Sequence, residues 1–236
     1  MVHYAYVKNI NDNSTYRYVI TFADYAIADE WWRAVSTSSV VSFSDSVRRV
    51  NSQFYTHDVR QANAANSLTT TGVATQFLGK VFFTLMNDLG GRGLSIIPSS
   101  SGCMDNISGK SFFIRSKASP YEYWYCPLSS NGNTPNSVYV SRTERTRFRV
   151  SISDKDSAGM VMIGSDDIVI TLTTVDLSVH VTDNSQVMLS NAPRLGLKFS
   201  DLLNKFAVGP TLCMDNQSSD MRQLFYADDG EEWELA

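Results

Sequence analysis

The sequence predicts a mainly β protein, α+β overall. Short runs of β-branched and aromatic residues recur along the chain, several of them alternate apolar and polar with period two, and Ser, Asn, Asp, Gly and Pro fill the short connections. The expected architecture is an N-terminal β-β-α unit over 1–66, followed over 67–236 by an antiparallel β-rich region with one or two short helices. That region is expected to be β-trefoil-like or a β-sandwich.

Tyr4, Tyr6 and Val7 begin the first extended run, and Asn11-Asp12-Asn13 supplies turn chemistry. Tyr16 to Phe22 reads as a strand. Asp24 then stands where its carboxylate can cap free N–H groups, and Ile27, Trp31, Ala34 and Val35 follow at helical spacing, which predicts a helix over 25–36. Ser44 to Val50 carries a weaker helical pattern, Phe54-Tyr55-Thr56 is extended, and the small polar residues of 60–72 read as a loop.

From Phe77 to Met86 the chain is apolar, and Leu94 to Ile96 resumes the β character. Expected strands then cover 112–114, 121–125, 138–140, 148–152, 168–172, 178–181, 187–189 and 195–199. Phe148, Val150 and Ile152 share one face, with Arg149 and Ser151 on the other, the mark of a sheet with one wet side. The segments 110–153 and 166–200 share a four-strand rhythm of about 40 residues, the length a trefoil repeats three times. Ser200 to Phe206 is expected to be a short helix with Leu202, Leu203 and Phe206 inward, and Leu224–Tyr226 and Trp233–Leu235 are expected final strands. Cys-Met-Asp-Asn occurs at 103–106 and again at 213–216, with unrelated flanks, and reads as coincidence.

The 236 residues are enough to bury a substantial core without a disulfide or metal staple. Hydrophobic residues at 43% and charged residues at 19% speak against wholesale disorder. The formal net charge of −4 and a pI near 5.3 argue against nucleic acid as the partner, which usually meets a basic surplus. The opening residues show no signal-peptide pattern, and no apolar run approaches the ~20 residues of a membrane span. With three cysteines and no such leader, a cytoplasmic protein with free thiols is expected, and the three glycosylation sequons then read as chance matches.

Ala28-Asp29-Glu30-Trp31-Trp32-Arg33-Ala34-Val35-Ser36 resembles a segment of proteins from mushroom-forming fungi, as do Gln53–Asp58, Ser111–Ser116, Arg145–Phe148 and Trp233–Leu235. Those proteins are leaderless and occur in several related copies. The resemblance implies a basidiomycete, intracellular protein and carries over no catalytic residue. Fungal fruiting bodies hold many leaderless β-rich lectins, so it points to sugar binding by analogy.

Tyr121, Tyr123 and Tyr125 alternate with Glu122, Trp124 and Cys126, so a strand there has an all-tyrosine face and a face with tryptophan. Amphipathic rings with hydroxyls suit sugars, and Asn131, Asn133 and Asn136 in the next loop can supply polar contacts. The alternative is an aromatic core on one side and a loop cover on the other. Trp31 follows the helix's apolar stripe, while Trp32 points about 100° away and is either an exposed ligand contact or packing under a loop. The expected ligand residues are therefore Tyr121, Tyr123, Trp124, Tyr125, Asn131, Asn133 and Trp32.

His57-Asp58 is the one His/acid neighbour pair, and nothing in the sequence gives it a nucleophile. Arg145, Arg147 and Arg149, spaced by two, share a strand face, read as solvated or as a phosphate or nucleic-acid contact, with Arg142 and Glu144 nearby. Asp166-Asp167 and Asp228-Asp229 lack calcium-loop spacing, Gly90-Gly91-Arg92-Gly93 lacks the lysine of a phosphate loop, and no paired Cys/His spacing suits zinc. No catalytic residue, cofactor or metal is expected. The function expected is a non-enzymatic, lectin-like protein of the cytosol, acting in defence or development, with a glycan or other small polar ligand. It is expected to have no nucleic-acid partner and no membrane span, and homo-oligomers are open to it. The alternatives are an enzyme of fungal metabolism with a site built from distant residues, and a self-assembling structural or storage protein.

Overall fold

The computed structural model describes residues 1–11, 16–86, 105–127, 137–193, 196–211 and 220–236. The chain is mainly β and divides into two compact units, Met1–Asp105 and Asn106–Ala236. Among the described residues no helix is long and apolar enough to cross a membrane.

In the first unit, β1 (His3–Asn9) and β2 (Tyr18–Phe22) form an antiparallel pair. Alternation sends Ala5, Val7, Tyr18, Ile20 and Phe22 into the core. Helix α1 (Tyr25–Ser36) begins where expected, since Asp24 Oδ1 accepts the Ile27 N–H at 2.9 Å. Trp31 is fully buried at the centre, 5.6 Å from the Phe22 ring and 5.4 Å from that of Tyr55, and its indole N–H donates to Ser67 Oγ at 3.1 Å.

The second helix, α2 (Val41–Ser46), lies earlier than Ser44–Val50. The chain is already extended at β3 (Arg48–Asn51), because pairing with β4 (Phe54–His57) outweighs the weak helical spacing of Val47 and Val50. The expected loop over 60–72 contains a 3-10 helix, Ala64–Leu68, started by the Asn63 side-chain Oδ1 accepting the Ala65 N–H. Strand β5 (Val81–Leu85) returns to pair with β2, so this unit runs past the compositional boundary at 66/67 and through Asp105. The sheet order is β3-β4-β1-β2-β5, with β4 parallel to β1.

Two buried polar groups secure this unit. The Arg49 guanidinium bonds Asp29 Oδ1 at 2.7 Å and Asp105 Oδ1 at 2.6 Å, so one cation ties α1, β3 and the end of the unit. His57 Nδ1 accepts the Ala64 N–H at 3.0 Å, which leaves Nε2 to carry the proton donated to the Tyr16 carbonyl at 2.9 Å. Both ring nitrogens are thus spent on backbone, and His57 is a structural histidine.

Burial lowers the His57 pKa below its ordinary 6.5. The unfolded chain therefore binds more protons than the folded one just below pH 6.5. The stability His57 contributes is fully present above that pH and is lost as pH falls towards the folded pKa. Thermal midpoints taken from pH 7.5 to 5 should fall less steeply in His57→Gln than in the parent. Equal slopes would remove His57 from the acid response.

The second unit contains β6 (Lys110–Ser116), β7 (Tyr123–Tyr125), β8 (Tyr139–Ser141), β9 (Arg147–Ile152), β10 (Ile168–Leu172), β11 (Leu177–Val181) and β12 (Val187–Ser190). After these come α3 (Phe199–Asn204), β13 (Phe206–Thr211), β14 (Arg222–Tyr226) and β15 (Trp233–Leu235). The strand order is β12-β11-β10-β9-β6-β7-β8-β14-β13, with β15 added to β6. The sheet curls until β12 meets the segments of β8 and β14: the Val138 N–H donates to the Val187 carbonyl at 3.0 Å and that of Tyr226 to the Ser185 carbonyl at 2.8 Å. The described strands thus join one curled antiparallel sheet and not three equivalent four-strand units.

Two local expectations are corrected here. Phe199 opens α3 and does not end a strand, and Phe206 opens β13 and does not end a helix. The Asp201 carboxylate accepts the Lys198 N–H at 2.9 Å and fixes the helix start, while pairing of Phe206 with Tyr226 fixes the strand. Inside the curl, Trp124 packs on Phe148, Phe206 and Trp233 at ring separations of 5.9, 4.8 and 5.9 Å. The turn before β15 lies so close to the start of β13 that a Cβ on Gly230 would sit 2.3 Å from the Phe206 nitrogen, so only glycine fits.

Candidate functional site

The alternation at Tyr121–Cys126 resolves cleanly. Glu122, Trp124 and Cys126 are buried, Tyr123 and Tyr125 are half-buried, and Tyr121 is 48% exposed. The tyrosine face points out. Trp124 is therefore core and not a ligand contact, because strand geometry gives it the opposite face. Trp32 belongs to the first unit, half-buried against its core with its ring 5.9 Å from that of Tyr55. Asn131, Asn133 and Asn136 lie outside the described residues, as do Cys103, Cys213 and Gly90–Gly93.

Strand β7 is held from beneath. The buried Glu122 carboxylate accepts from Arg142 Nε at 2.9 Å and from the Arg222 guanidinium of β14, and the Glu122 N–H donates to Ser116 Oγ at 2.9 Å. Arg142 is thereby removed from the arginine run.

Across the outer face, β6 and β9 add what the β7 pattern alone does not show. Phe113 pairs with Arg147 in register, and its ring meets Tyr123 edge-on at 6.4 Å. The guanidinium carbons of Arg145 and Arg147 stand 4.6 and 4.8 Å from the Phe113 ring centre. Arg115 lies 4.4 Å over the Tyr121 ring and is clamped by Glu234, with Nε 2.9 Å from Oε1. Tyr125 faces Tyr139 across β7 and β8. Arg149 pairs in register with Ser111 on β6 and Thr171 on β10. Arg145, Arg147 and Arg149 are exposed, and among the described residues no carboxylate is bonded to any of them.

Phe113, Arg115 and Tyr139 were not among the expected site residues. The phase of Ser111-Phe112-Phe113-Ile114-Arg115 carries a signal for the first two, since buried Phe112 and Ile114 force their neighbours outward. Which strands lie beside β7 is a matter of register and leaves no local trace.

Other titratable groups are engaged elsewhere. Burial pushes the Cys126 thiol up to about 11, so it is a neutral thiol at physiological pH. Asp166 Oδ2 accepts the Ile163 N–H at 2.8 Å in a turn, and Asp167 pairs with Lys198 at 2.8 Å. Among the described residues no three His, Cys, Asp or Glu side chains converge on one point. An open cleft of about 340 Å³ in the first unit is lined by Tyr16, Gln61, Asn63, Asn66 and Thr70 with apolar neighbours. Among the described residues its polar lining is made of hydroxyls and amides.

No protein-family model matches the chain, and no curated protein matches it significantly. The outer face of β6, β7 and β9 can therefore be read only from its own chemistry. It offers aromatic rings, phenolic and aliphatic hydroxyls and, in Arg145, Arg147 and Arg149, guanidinium donors with no bonded carboxylate among the described residues.

Proposed function

We propose that this chain is a non-enzymatic carbohydrate-binding protein that takes its ligand on the outer face of β6, β7 and β9. The supporting observation is the outward tyrosine face of β7, held from beneath by Glu122 and bordered by Tyr139, Phe113 and the arginines. Tyrosine offers an apolar ring and a hydroxyl at little entropic cost, which suits a sugar's mixed surface. The resemblance to leaderless fungal proteins supports placing it in the cytosol of a basidiomycete, in defence or development.

The test is a glycan array together with sedimentation on insoluble cell-wall polysaccharides. Binding is expected, and Tyr123→Ala/Tyr125→Ala should weaken it at least tenfold, a loss of ~1.4 kcal/mol, with the circular dichroism unchanged. Retention of no glycan by the intact protein overturns the reading.

A further inference from the structure

We propose that the ligand of this face is a linear acidic glycan, its carboxylates held by Arg145, Arg147 and Arg149; this rests on the carbohydrate-binding reading above. The first argument is one of access. Guanidinium groups lie over the rings of Phe113 and Tyr121, at 4.6 and 4.4 Å, and so cover one face of each ring. Neutral sugars and unpaired nucleobases both use open ring faces to stack. A ligand that accepts hydrogen bonds and carries negative charge suits what remains.

The second argument is electrostatic. Two guanidinium carbons within 5 Å of one ring centre, at 4.6 and 4.8 Å, lie at most about 9 Å apart. Arg149 follows two residues along the same strand, about 7 Å further on. No carboxylate among the described residues is bonded to these three, although the protein as a whole is acidic, at −4. Like charges held this near repel, and an anion bridging them relieves the repulsion. Carboxylate matches the guanidinium fork with two parallel hydrogen bonds.

The third argument is what surrounds the charges. Arg149 stands between Ser111 and Thr171, and Thr171 Oγ1 lies 3.5 Å from Ser178 Oγ. These hydroxyls suit a polyhydroxylated chain. Glu144 acts on Tyr125 and raises its pKa after burial, so negative charge already stands near the tyrosine end. The acid groups of the ligand therefore belong at the Arg147–Arg149 end and its neutral ring surface at Tyr125 and Tyr139.

The experiment measures affinity of the full chain for polygalacturonate, for the same polymer fully methyl-esterified, for dextran and for single-stranded polyuridylate, at 50 and 200 mM salt. Polygalacturonate should bind, and esterification should weaken binding at least tenfold. Arg147→Gln and Arg149→Gln should each cost about tenfold on the acid polymer and flatten its salt dependence, and Arg147→Lys should restore only part. The unchanged circular dichroism of each variant keeps the comparison valid. Equal binding of acid and ester forms, or of dextran, overturns this inference and leaves the carbohydrate reading standing. Polyuridylate bound as tightly as polygalacturonate also overturns it, in favour of a nucleic-acid surface. No polysaccharide bound, here or on the array, removes both.

Discussion

Arg49→Met should lower the stability of the protein by about 3–5 kcal/mol, because removing one member of a buried ion group leaves its partners charged and unpaired. Arg49 and Asp29 side chains are each only 4% exposed, and Asp105 shares the same guanidinium. Burial already pushes the Asp29 carboxyl up from 3.8 to about 6 against the pull of Arg49. Without that pull it rises further. A folded carboxyl pKa above the unfolded value means that the folded state holds the extra proton, so stability in the variant should recover as pH falls from 7 towards 4. Urea unfolding at pH 7 and pH 5 checks this. Asp29→Asn on the Arg49→Met background should regain part of the loss at pH 7 and nearly abolish the pH effect. A variant within 1 kcal/mol of the parent at pH 7 would show that the group contributes little.

Trp233→Ala should cost about 3–5 kcal/mol, the range for deleting a large aromatic from a core. Trp233 is fully buried, stacks edge-on with Trp124, and donates its indole N–H to the Phe206 carbonyl at 2.8 Å. It also opens β15, which closes against β6 through Ser116, Arg115 and Ile114. Its loss therefore opens a cavity and loosens a strand. Trp124 makes the informative contrast. It is equally buried, but its indole N–H has no hydrogen-bond partner among the described residues. Trp124→Phe removes an unsatisfied donor along with the ring volume, so it should cost less than Trp233→Phe, which breaks a made bond. Denaturant midpoints of the three variants decide it, and a Trp124→Phe loss equal to that of Trp233→Phe would mean that volume alone governs this core.

The same unit shows why the ligand face was only half legible. Three tyrosines at odd positions from 121 to 125 announce a one-sided strand, and the structure turns that side outward. Parity, however, is silent about sign: it groups Trp124 with Glu122 but does not say which group is buried. Glu122 would by itself suggest solvent, yet it is buried because Arg142 and Arg222 neutralise it from neighbouring segments. The arginine run reads as a solvated charged face until Phe113, more than thirty residues earlier, is placed against it.

Local sequence determined the features whose physics is local. Asp24 caps α1 because its carboxylate lies within reach of the Ile27 N–H whatever the rest of the chain does, and Phe148 and Val150 turn inward because a strand has period two. The tertiary structure alone decided that the two expected four-strand runs share one curled sheet, that Phe206 is strand and not helix, and that Arg145 and Arg147 meet on a single ring. Each of these depends on which strand lies beside which, a choice made by the burial of many side chains at once. No one segment carries that energy in its own pattern.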